Sequence, residues 1–441
     1  MTDNKYLHPY FVWGLLAVLT IIFGFVYNFV IAYSPVNMFE GLWAIFTSPS
    51  ILTRDYIMVT GGLGPALVNS GLAGLMVVAA FILSKSKTTG IQMGAFGLVM
   101  GFAFFGKNPL NMFTIMLGAY LYAKYRKVGW GTTVNLSAFS TCLAPVVSMA
   151  AFGGIFESQG LGMAVGAILG LAIGFFINSM GVFIRKSHEG LNLYNVGWGA
   201  GLISIAIYAV YGALGLGGWF SGWSARWPGP MVSYGHNSIL VIYLVGIAIY
   251  FLIFGFMAKG GFNALEIINM KADDNDFYIK YGAGHTYFAM GLLGILGLVI
   301  MLIVGAMGGT LTAPILGAII SMIGWGGFGK SVANASAIIA GVLIAGVIRD
   351  VSRGEGFYFT DSVVFTSAFW GTCLSPMAKF FGWFWALPIG MLHFAFAATI
   401  ASFHGGMNLY NNGLAAGFVC VVMIPLIRAI NRSGKYEPKT A

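Results

Sequence analysis

The sequence predicts an all-α membrane protein with about 14 hydrophobic segments, arranged as two inverted-topology repeats of seven. Three observations support this prediction: the composition, an ordered set of duplicated motifs, and the distribution of basic residues. Of the 441 residues, 58% are hydrophobic and 8% are charged, and the mean hydropathy is +0.85. Soluble domains carry about 25% charged residues, so the composition excludes a soluble enzyme or binding domain.

Apolar runs long enough to cross roughly 30 Å of hydrocarbon recur along the chain, although some are short enough to be re-entrant. In the first half they are predicted at 10–33, 57–84, 91–105, 109–124, 134–151, 159–183 and 192–214. In the second half they are predicted at 238–259, 282–306, 311–326, 331–349, 359–377, 382–402 and 407–428. The predicted organisation is a first transmembrane repeat (1–214), an interfacial linker (215–237), a second repeat (238–430) and a cytoplasmic tail (431–441).

Four motifs occur in both halves of the chain in the same order. HEGLNLYN begins at His188, and HGGMNLYN begins at His404, which is 216 positions later (404 minus 188). The other pairs are GPALVNSGL at Gly64 with GHTYFAMGL at Gly284, FGKNPLN at Phe105 with FGKSVAN at Phe328, and TCLAP at Thr141 with TCLSP at Thr372. An internal duplication in an apolar chain is a common basis of transporter and channel folds.

The number of segments and the basic residues both bear on orientation. Seven is odd, so the two halves have opposite orientations if every segment crosses the membrane. Basic residues concentrate in cytoplasmic loops, and most of those in this chain lie on one side when the N-terminus is placed in the cytoplasm. We therefore expect a multi-pass protein of the cell inner (plasma) membrane with both termini in the cytoplasm. These loops account for the net charge of +9, and no nucleic-acid partner is expected.

The two FGK turns are the first candidate for a solute-binding site. Each precedes a predicted helix start, where Asn108 or Ser331 is placed to cap unpaired N–H groups. Lys107 and Lys330 add charge beside these ends, and a charged residue at membrane depth is functional by default. In inverted halves the two turns can meet near the midplane and attract a polar or anionic solute. The alternative is that each lysine reaches lipid headgroups at opposite surfaces.

The TCL motifs and the LNLYN motif supply the remaining candidates; LNLYN stands at 191–195, and the equivalent stretch at 407–411, which reads MNLYN, is given the same name. Asparagine and tyrosine at the start of the last helix of each half can hydrogen-bond a solute, or they form only a helix-start motif. The threonines of TCLAP and TCLSP can line a polar path beside prolines that free backbone carbonyls, or the prolines serve only packing geometry. The predicted substrate-binding residues are Lys107, Asn108, Lys330, Ser331, Asn334, Thr141, Thr372, Tyr194, Asn195, Tyr410 and Asn411.

Catalytic and cofactor motifs are not recognisable in the sequence. Of the 13 acidic residues, Asp361 is the sole candidate to lie within a predicted segment, so a carboxylate proton relay is not supported. The cysteines lack metal-ligand spacing, and no metalloprotease or hydrolase motif occurs. We expect no enzyme activity, no cofactor and no metal. The expected partners are the lipid bilayer and a small-molecule or ion substrate, and the sequence is compatible with a homo-oligomer.

The FGKNPLNMFTIMLGAYLYAK, TCLAP and GLNLYNVGWGAGL motifs resemble those of an uncharacterised family of prokaryotic polytopic membrane proteins, described only as a domain of unknown function. This resemblance covers the whole chain and implies no substrate. The stretches at 108–110 (NPL) and 191–195 (LNLYN) are locally similar to urea transporters, which implies a pore between inverted halves. The second half departs from that pattern, since SVA at 331–333 stands where NPL is expected.

Together these features predict a transporter or channel for a small polar solute, neutral or anionic, with its path between the inverted halves. Two alternatives are left open at this point. An intramembrane enzyme acting on a lipid-linked substrate would have a cavity open sideways to lipid beside His188 or His404. A structural membrane subunit without a path would have a core filled with side chains.

Overall fold

The structure, a computed structural model, describes residues 7–31, 37–52, 55–215, 237–259, 263–269, 276–309, 311–354 and 361–431. It is 82% helix, and no strand occurs within these ranges, so the all-α prediction is confirmed. The predicted linker (215–237) and tail (431–441) lie outside the described residues except at their edges.

Each half contributes nine helices to the described part of the chain. In the first half these are α1 (Pro9–Val26), α2 (Met38–Phe46), α3 (Leu63–Leu83), α4 (Gly90–Phe102), α5 (Pro109–Tyr125), α6 (Val134–Ser140), α7 (Ala144–Phe152), α8 (Gln159–Ser187) and α9 (Asn195–Ala213). In the second half they are α10 (Asn237–Met257), α11 (Ala264–Asn269), α12 (Phe277–Ala306), α13 (Ala313–Gly324), α14 (Val332–Ser352), α15 (Ser362–Gly371), α16 (Ser375–Phe381), α17 (Trp383–Thr399) and α18 (Asn411–Ile430). The paired motifs fall at matching places: FGK precedes α5 and α14, TCL precedes α7 and α16, and LNLYN precedes α9 and α18.

Ten helical segments in the described ranges are long and apolar enough to cross a membrane, which supports a multi-pass membrane protein. The sequence predicts fourteen segments, four more than the structure supports. Two of these four, α4 and α13, are too short to span the membrane. These apolar helices have 13 and 12 residues, or about 20 Å and 18 Å at 1.5 Å per residue, which is short of the hydrocarbon thickness. The FGK turns therefore follow helices too short to span the membrane by themselves.

The FGK turns are held by side chains of the helices that follow them. Asn108 Oδ1 accepts from the backbone N–H of Asn111, and Asn111 Oδ1 accepts from that of Asn108, both at 2.9 Å. The predicted cap by Asn108 is thereby confirmed. At the second turn, Asn334 Oδ1 accepts from the N–H of Ser331 at 2.8 Å. These reciprocal contacts satisfy N–H groups that the helix itself leaves without partners.

Asn111→Ala is expected to lower the free energy of unfolding by about 1–3 kcal/mol. Asn111 accepts from the N–H of Asn108, and its amide also donates to the carbonyl of Gly106 at 3.0 Å. The substitution leaves this N–H and this carbonyl without Asn111 as a partner. Thermal unfolding in detergent measures the effect, with Ser402→Ala as the control because Ser402 is exposed. Equal unfolding temperatures for the two variants would contradict the prediction.

The last helices of the two halves, α9 and α18, cross at a pair of glycines. A Cβ on Gly197 would lie 3.0 Å from the Cα of Gly413 and 2.8 Å from the Cβ of Tyr410. A Cβ on Gly413 would lie 3.0 Å from the Cα of Gly197 and 2.9 Å from the Cβ of Tyr194. Small residues allow such close approach of helices in membranes. The crossing thereby brings the tyrosines of both LNLYN motifs to the boundary between the halves.

Candidate functional site between the two halves

The lysines of both FGK turns are buried and reach across to the opposite half. Lys107 Nζ donates to Tyr410 Oη at 2.8 Å, and Lys330 Nζ donates to Tyr194 Oη at 2.9 Å. Both lysine side chains are 0% exposed. The alternative in which they reach headgroups at opposite surfaces is therefore wrong.

The surroundings of the two lysines are aromatic rather than acidic. Lys107 Nζ lies 4.6 Å from the ring centroid of Tyr410 and 5.4 Å from that of Phe102. Lys330 Nζ lies 4.8 Å from the ring centroid of Tyr194. Neither lysine forms a salt bridge with any carboxylate of the described ranges. The faces of the rings attract a cation, but they do not neutralise its charge.

The backbone of each LNLYN loop is tied to the TCL turn of the other half. Leu193 N–H donates to the carbonyl of Cys373 at 3.0 Å, and Leu409 N–H donates to that of Cys142 at 2.9 Å. The two TCL turns are short 3₁₀ segments, Thr141–Leu143 and Thr372–Leu374. The three kinds of motif that the sequence singled out thus form one site, and each half supplies all three.

The asparagines of the LNLYN motifs fix the loops in place. The Nδ2 of Asn192 donates to the carbonyl of Gly413 at 3.0 Å, and that of Asn408 donates to the carbonyl of Gly197 at 3.2 Å. Both asparagines are buried. These bonds join each loop to the last helix of the opposite half, beside the glycine crossing.

The histidines that open the duplicated motif orient the asparagines at the start of α9 and α18. His188 Nε2 lies 2.6 Å from Asn195 Oδ1, and His404 Nε2 lies 3.0 Å from Asn411 Oδ1. His188 Nδ1 accepts from a backbone N–H at 3.4 Å, so the proton is assigned to Nε2. Burial lowers the pKa of His188 below its usual 6.5, and the ring is therefore neutral at pH 7. Both histidines act as positioning residues here.

An aromatic cluster lies at the centre of the site. Its six members form three pairs at the offsets of the duplicated motifs: Phe102 with Trp325, Phe139 with Trp370, and Tyr194 with Tyr410. The rings make a continuous series of contacts, in which the centroid distances include 4.4 Å from Phe102 to Trp370, 5.5 Å from Tyr194 to Trp325 and 6.4 Å between the two tyrosines. The cluster also includes a stacked pair, Phe139 with Trp325, and an edge contact, Tyr194 with Trp370, and both arrangements are favourable.

Two cavities border this cluster, and eight lining positions of one correspond to lining positions of the other with the halves exchanged. The first is lined by Leu52, Phe102, Phe105, Pro314, Val363, Thr366, Ser367, Trp370, Ala397, Ala398, Leu409, Asn411 and Asn412. The second is lined by Ile91, Leu98, Asn135, Leu136, Phe139, Leu193, Tyr194, Asn195, Val196, Gly197, Trp325 and Tyr410. They contain about 600 Å³ and 400 Å³ of space between atoms, open solvent included.

Equivalent positions of the two cavities carry polar atoms that have no partner. Asn135 Oδ1 and Thr366 Oγ1 are buried, and neither has a hydrogen bond within the described part of the chain. Both residues precede their TCL turn by the same number of positions. A buried polar atom without a partner costs free energy, so these two atoms are candidates for contact with water or a solute.

The predicted site residues divide into three groups. Tyr194, Asn195, Tyr410 and Asn411 line the cavities, and Lys107 and Lys330 lie directly behind the two tyrosines. Asn108, Ser331 and Asn334 hold the turns. Thr141 and Thr372 line neither cavity, and each hydroxyl donates to a carbonyl three residues earlier, in the preceding helix.

The predicted site residues do not include Asn135, Thr366 or the four non-tyrosine members of the aromatic cluster. Their only sequence signal is the shared offset, since the residue type differs between the halves. Asn69, in the GPALVNSGL motif, is also absent from the predicted site residues. The Asn69 amide donates to the carbonyls of Ala103 and Lys107 at 2.7 Å and 2.8 Å, so it holds the first FGK turn.

The family to which the chain belongs follows from comparison with known proteins. No curated protein and no solved structure matches the chain. One family model matches residues 34–213 and 257–429, which is most of the chain and includes the duplicated FGK, TCL and LNLYN motifs. The chain therefore belongs to the family described as "Protein of unknown function (DUF1576)".

Proposed function

We propose that the protein is a transporter or channel for a small polar solute, and that the solute passes between two inverted halves. The observation that carries this proposal is the pair of equivalent cavities on the shared aromatic cluster. In an inverted repeat, exchange of the halves also exchanges the two sides of the membrane. Two equivalent cavities would then open toward opposite sides, with the cluster closing the path between them.

The chemistry of the linings favours permeation over catalysis. The polar lining groups are amides, hydroxyls and the indoles of Trp325 and Trp370, and neither lining includes a carboxylate, a cysteine or a histidine. An intramembrane enzyme requires a base, a nucleophile or metal ligands arranged together. We therefore propose a role without catalysis. A cytoplasmic N-terminus and a plasma-membrane location remain part of this proposal, on the distribution of basic residues.

The sidedness of the two cavities tests the proposal directly. Asn135→Cys and Thr366→Cys occupy equivalent positions, one in each cavity. They are introduced singly into a variant in which Cys142, Cys373 and Cys420, all buried, are replaced by alanine. We expect a membrane-impermeant thiol reagent added to the medium to modify one variant only in intact cells and the other only in inverted vesicles, because the path would open to both sides.

Lys186→Cys serves as the marker of sidedness, since Lys186 is exposed at the end of α8 on the predicted cytoplasmic side. It should react only in inverted vesicles. Modification of Asn135→Cys and Thr366→Cys from the same side would contradict both the inverted arrangement and the proposed path. Lack of modification of both variants from either side would support a structural subunit without a path.

A further inference from the structure

The site contains more N–H and O–H donors than there are protein acceptors to receive their hydrogen bonds. An ammonium group has three N–H donors, and Lys107 and Lys330 each donate one bond, to a tyrosine hydroxyl. No other acceptor of either ammonium lies within the described ranges. Two donors on each protonated lysine are therefore without an acceptor in the described part of the chain.

The tyrosine hydroxyls add to this excess. Each accepts a hydrogen bond from a lysine, and neither donates to any described residue. Both tyrosines line the second cavity, together with Trp325, whose Nε1–H is buried without a partner. The neutral acceptor Asn135 Oδ1 in the same cavity adds no negative charge. The donor groups of the tyrosines and Trp325 therefore outnumber the free acceptors around this cavity.

In their protonated form, the two lysines also have no counter-ion at the site. The buried carboxylates of the described chain have partners elsewhere: Asp55 accepts from Ile57 N–H, Asp276 from Gly90 N–H, and Asp350 from Arg349. Burying an ion without a counter-ion costs several kcal/mol, and the cost is retained at membrane depth mainly for function. A bound anion would offset this cost for both lysines at once.

We infer that the solute is a small anion, bound at the aromatic cluster by the hydroxyls of Tyr410 and Tyr194, with the ammonium groups of Lys107 and Lys330 directly behind these hydroxyls supplying the positive charge. This inference rests on the proposed transport function and adds the class of substrate. The cavities themselves are lined by neutral residues. An anion would therefore come near positive charge only at the cluster, where the tyrosine hydroxyls replace part of its hydration shell.

Three planar solutes of similar size and different charge test the inference: nitrate, urea and guanidinium. Uptake of each isotopically labelled solute is measured in proteoliposomes of the full-length protein, with the membrane potential clamped by potassium and valinomycin. We expect nitrate uptake to exceed that of empty liposomes by at least about tenfold, which corresponds to 1.4 kcal/mol in the barrier. Urea and guanidinium should enter no faster than in empty liposomes.

The outcomes separate the inference from the function on which it rests. Urea uptake as fast as nitrate uptake, or guanidinium uptake faster than both, would support the transport function but contradict the inference that the solute is an anion. Absence of uptake for all three solutes and for methanesulfonate, a larger anion, would overturn both. The double variant Lys107→Met, Lys330→Met should lower nitrate uptake at least about tenfold, with correct folding checked by size-exclusion chromatography. Unchanged nitrate uptake in that variant would remove the lysines from the site.

Discussion

Lys107→Met and Lys330→Met are each expected to increase the free energy of unfolding, by about 1–4 kcal/mol. Methionine keeps most of the length of lysine but removes a positive charge that is 0% exposed and has no carboxylate partner in the described chain. Thermal unfolding in detergent measures the change. A gain in stability combined with a loss of uptake is typical of residues kept for function at the expense of stability.

The tyrosine partner provides a second test of the same site. Tyr410→Phe removes the hydroxyl that accepts from Lys107 at 2.8 Å, so the buried ammonium loses its only described acceptor and the protein should be destabilised by about 1–3 kcal/mol. In Lys107→Met, where no ammonium remains, the same tyrosine substitution should cost less. This difference is the coupling energy of a double-mutant cycle.

Lys124→Met is the matched control, because Lys124 also lies over a tyrosine ring, at 5.4 Å from the centroid of Tyr120, but is exposed. Its stability and nitrate uptake should equal those of the wild-type protein. If Lys107→Met instead unfolds at a lower temperature than the wild type, the lysine is a structural support for Tyr410, and the anion site is contradicted.

The sequence predicts much of this site because the repeated motifs coincide with the residues that join the halves. The FGK, TCL and LNLYN motifs were weighed as three separate candidates, and the structure brings them together. The contact of Lys107 with Tyr410 could not be predicted, since it joins residues 303 positions apart. Periodicity and local spacing carry no information on such a pairing. A duplication predicts only that a contact present in one half has an equivalent in the other, not which residues form it.

Two other features escaped prediction for local reasons. Asn135 and Thr366 are equivalent positions with different residue types, so comparison of the halves does not select them. Thr141 and Thr372 were selected because they repeat, but their hydroxyls are satisfied by their own helices. Repetition therefore identified the elements that form the site more reliably than the side chains that line it.

Gly197→Leu and Gly413→Leu are expected to prevent stable folding. At both positions even a Cβ atom would lie 3.0 Å from a backbone Cα of the facing helix, and a backbone atom cannot move aside as a flexible side chain can. Alanine should already cost about 1–3 kcal/mol, the usual range for an overpacked core. The expected readout is a lower unfolding temperature for both alanine variants, and loss of monodisperse protein in detergent for both leucine variants.

Gly212→Ala is the control for this prediction, because Gly212 belongs to the same helix, α9, and a Cβ there meets nothing within 4 Å. Alanine is the better helix former, so this variant should be as stable as the wild type or up to about 1 kcal/mol more stable. The alanine variants at the crossing should also lower solute uptake, since the added Cβ at Gly197 would press on the Cβ of Tyr410, 2.8 Å away. If Gly197→Ala and Gly212→Ala unfold alike, α9 and α18 do not meet at these glycines, and the tyrosine pair is not held where the proposed path requires it.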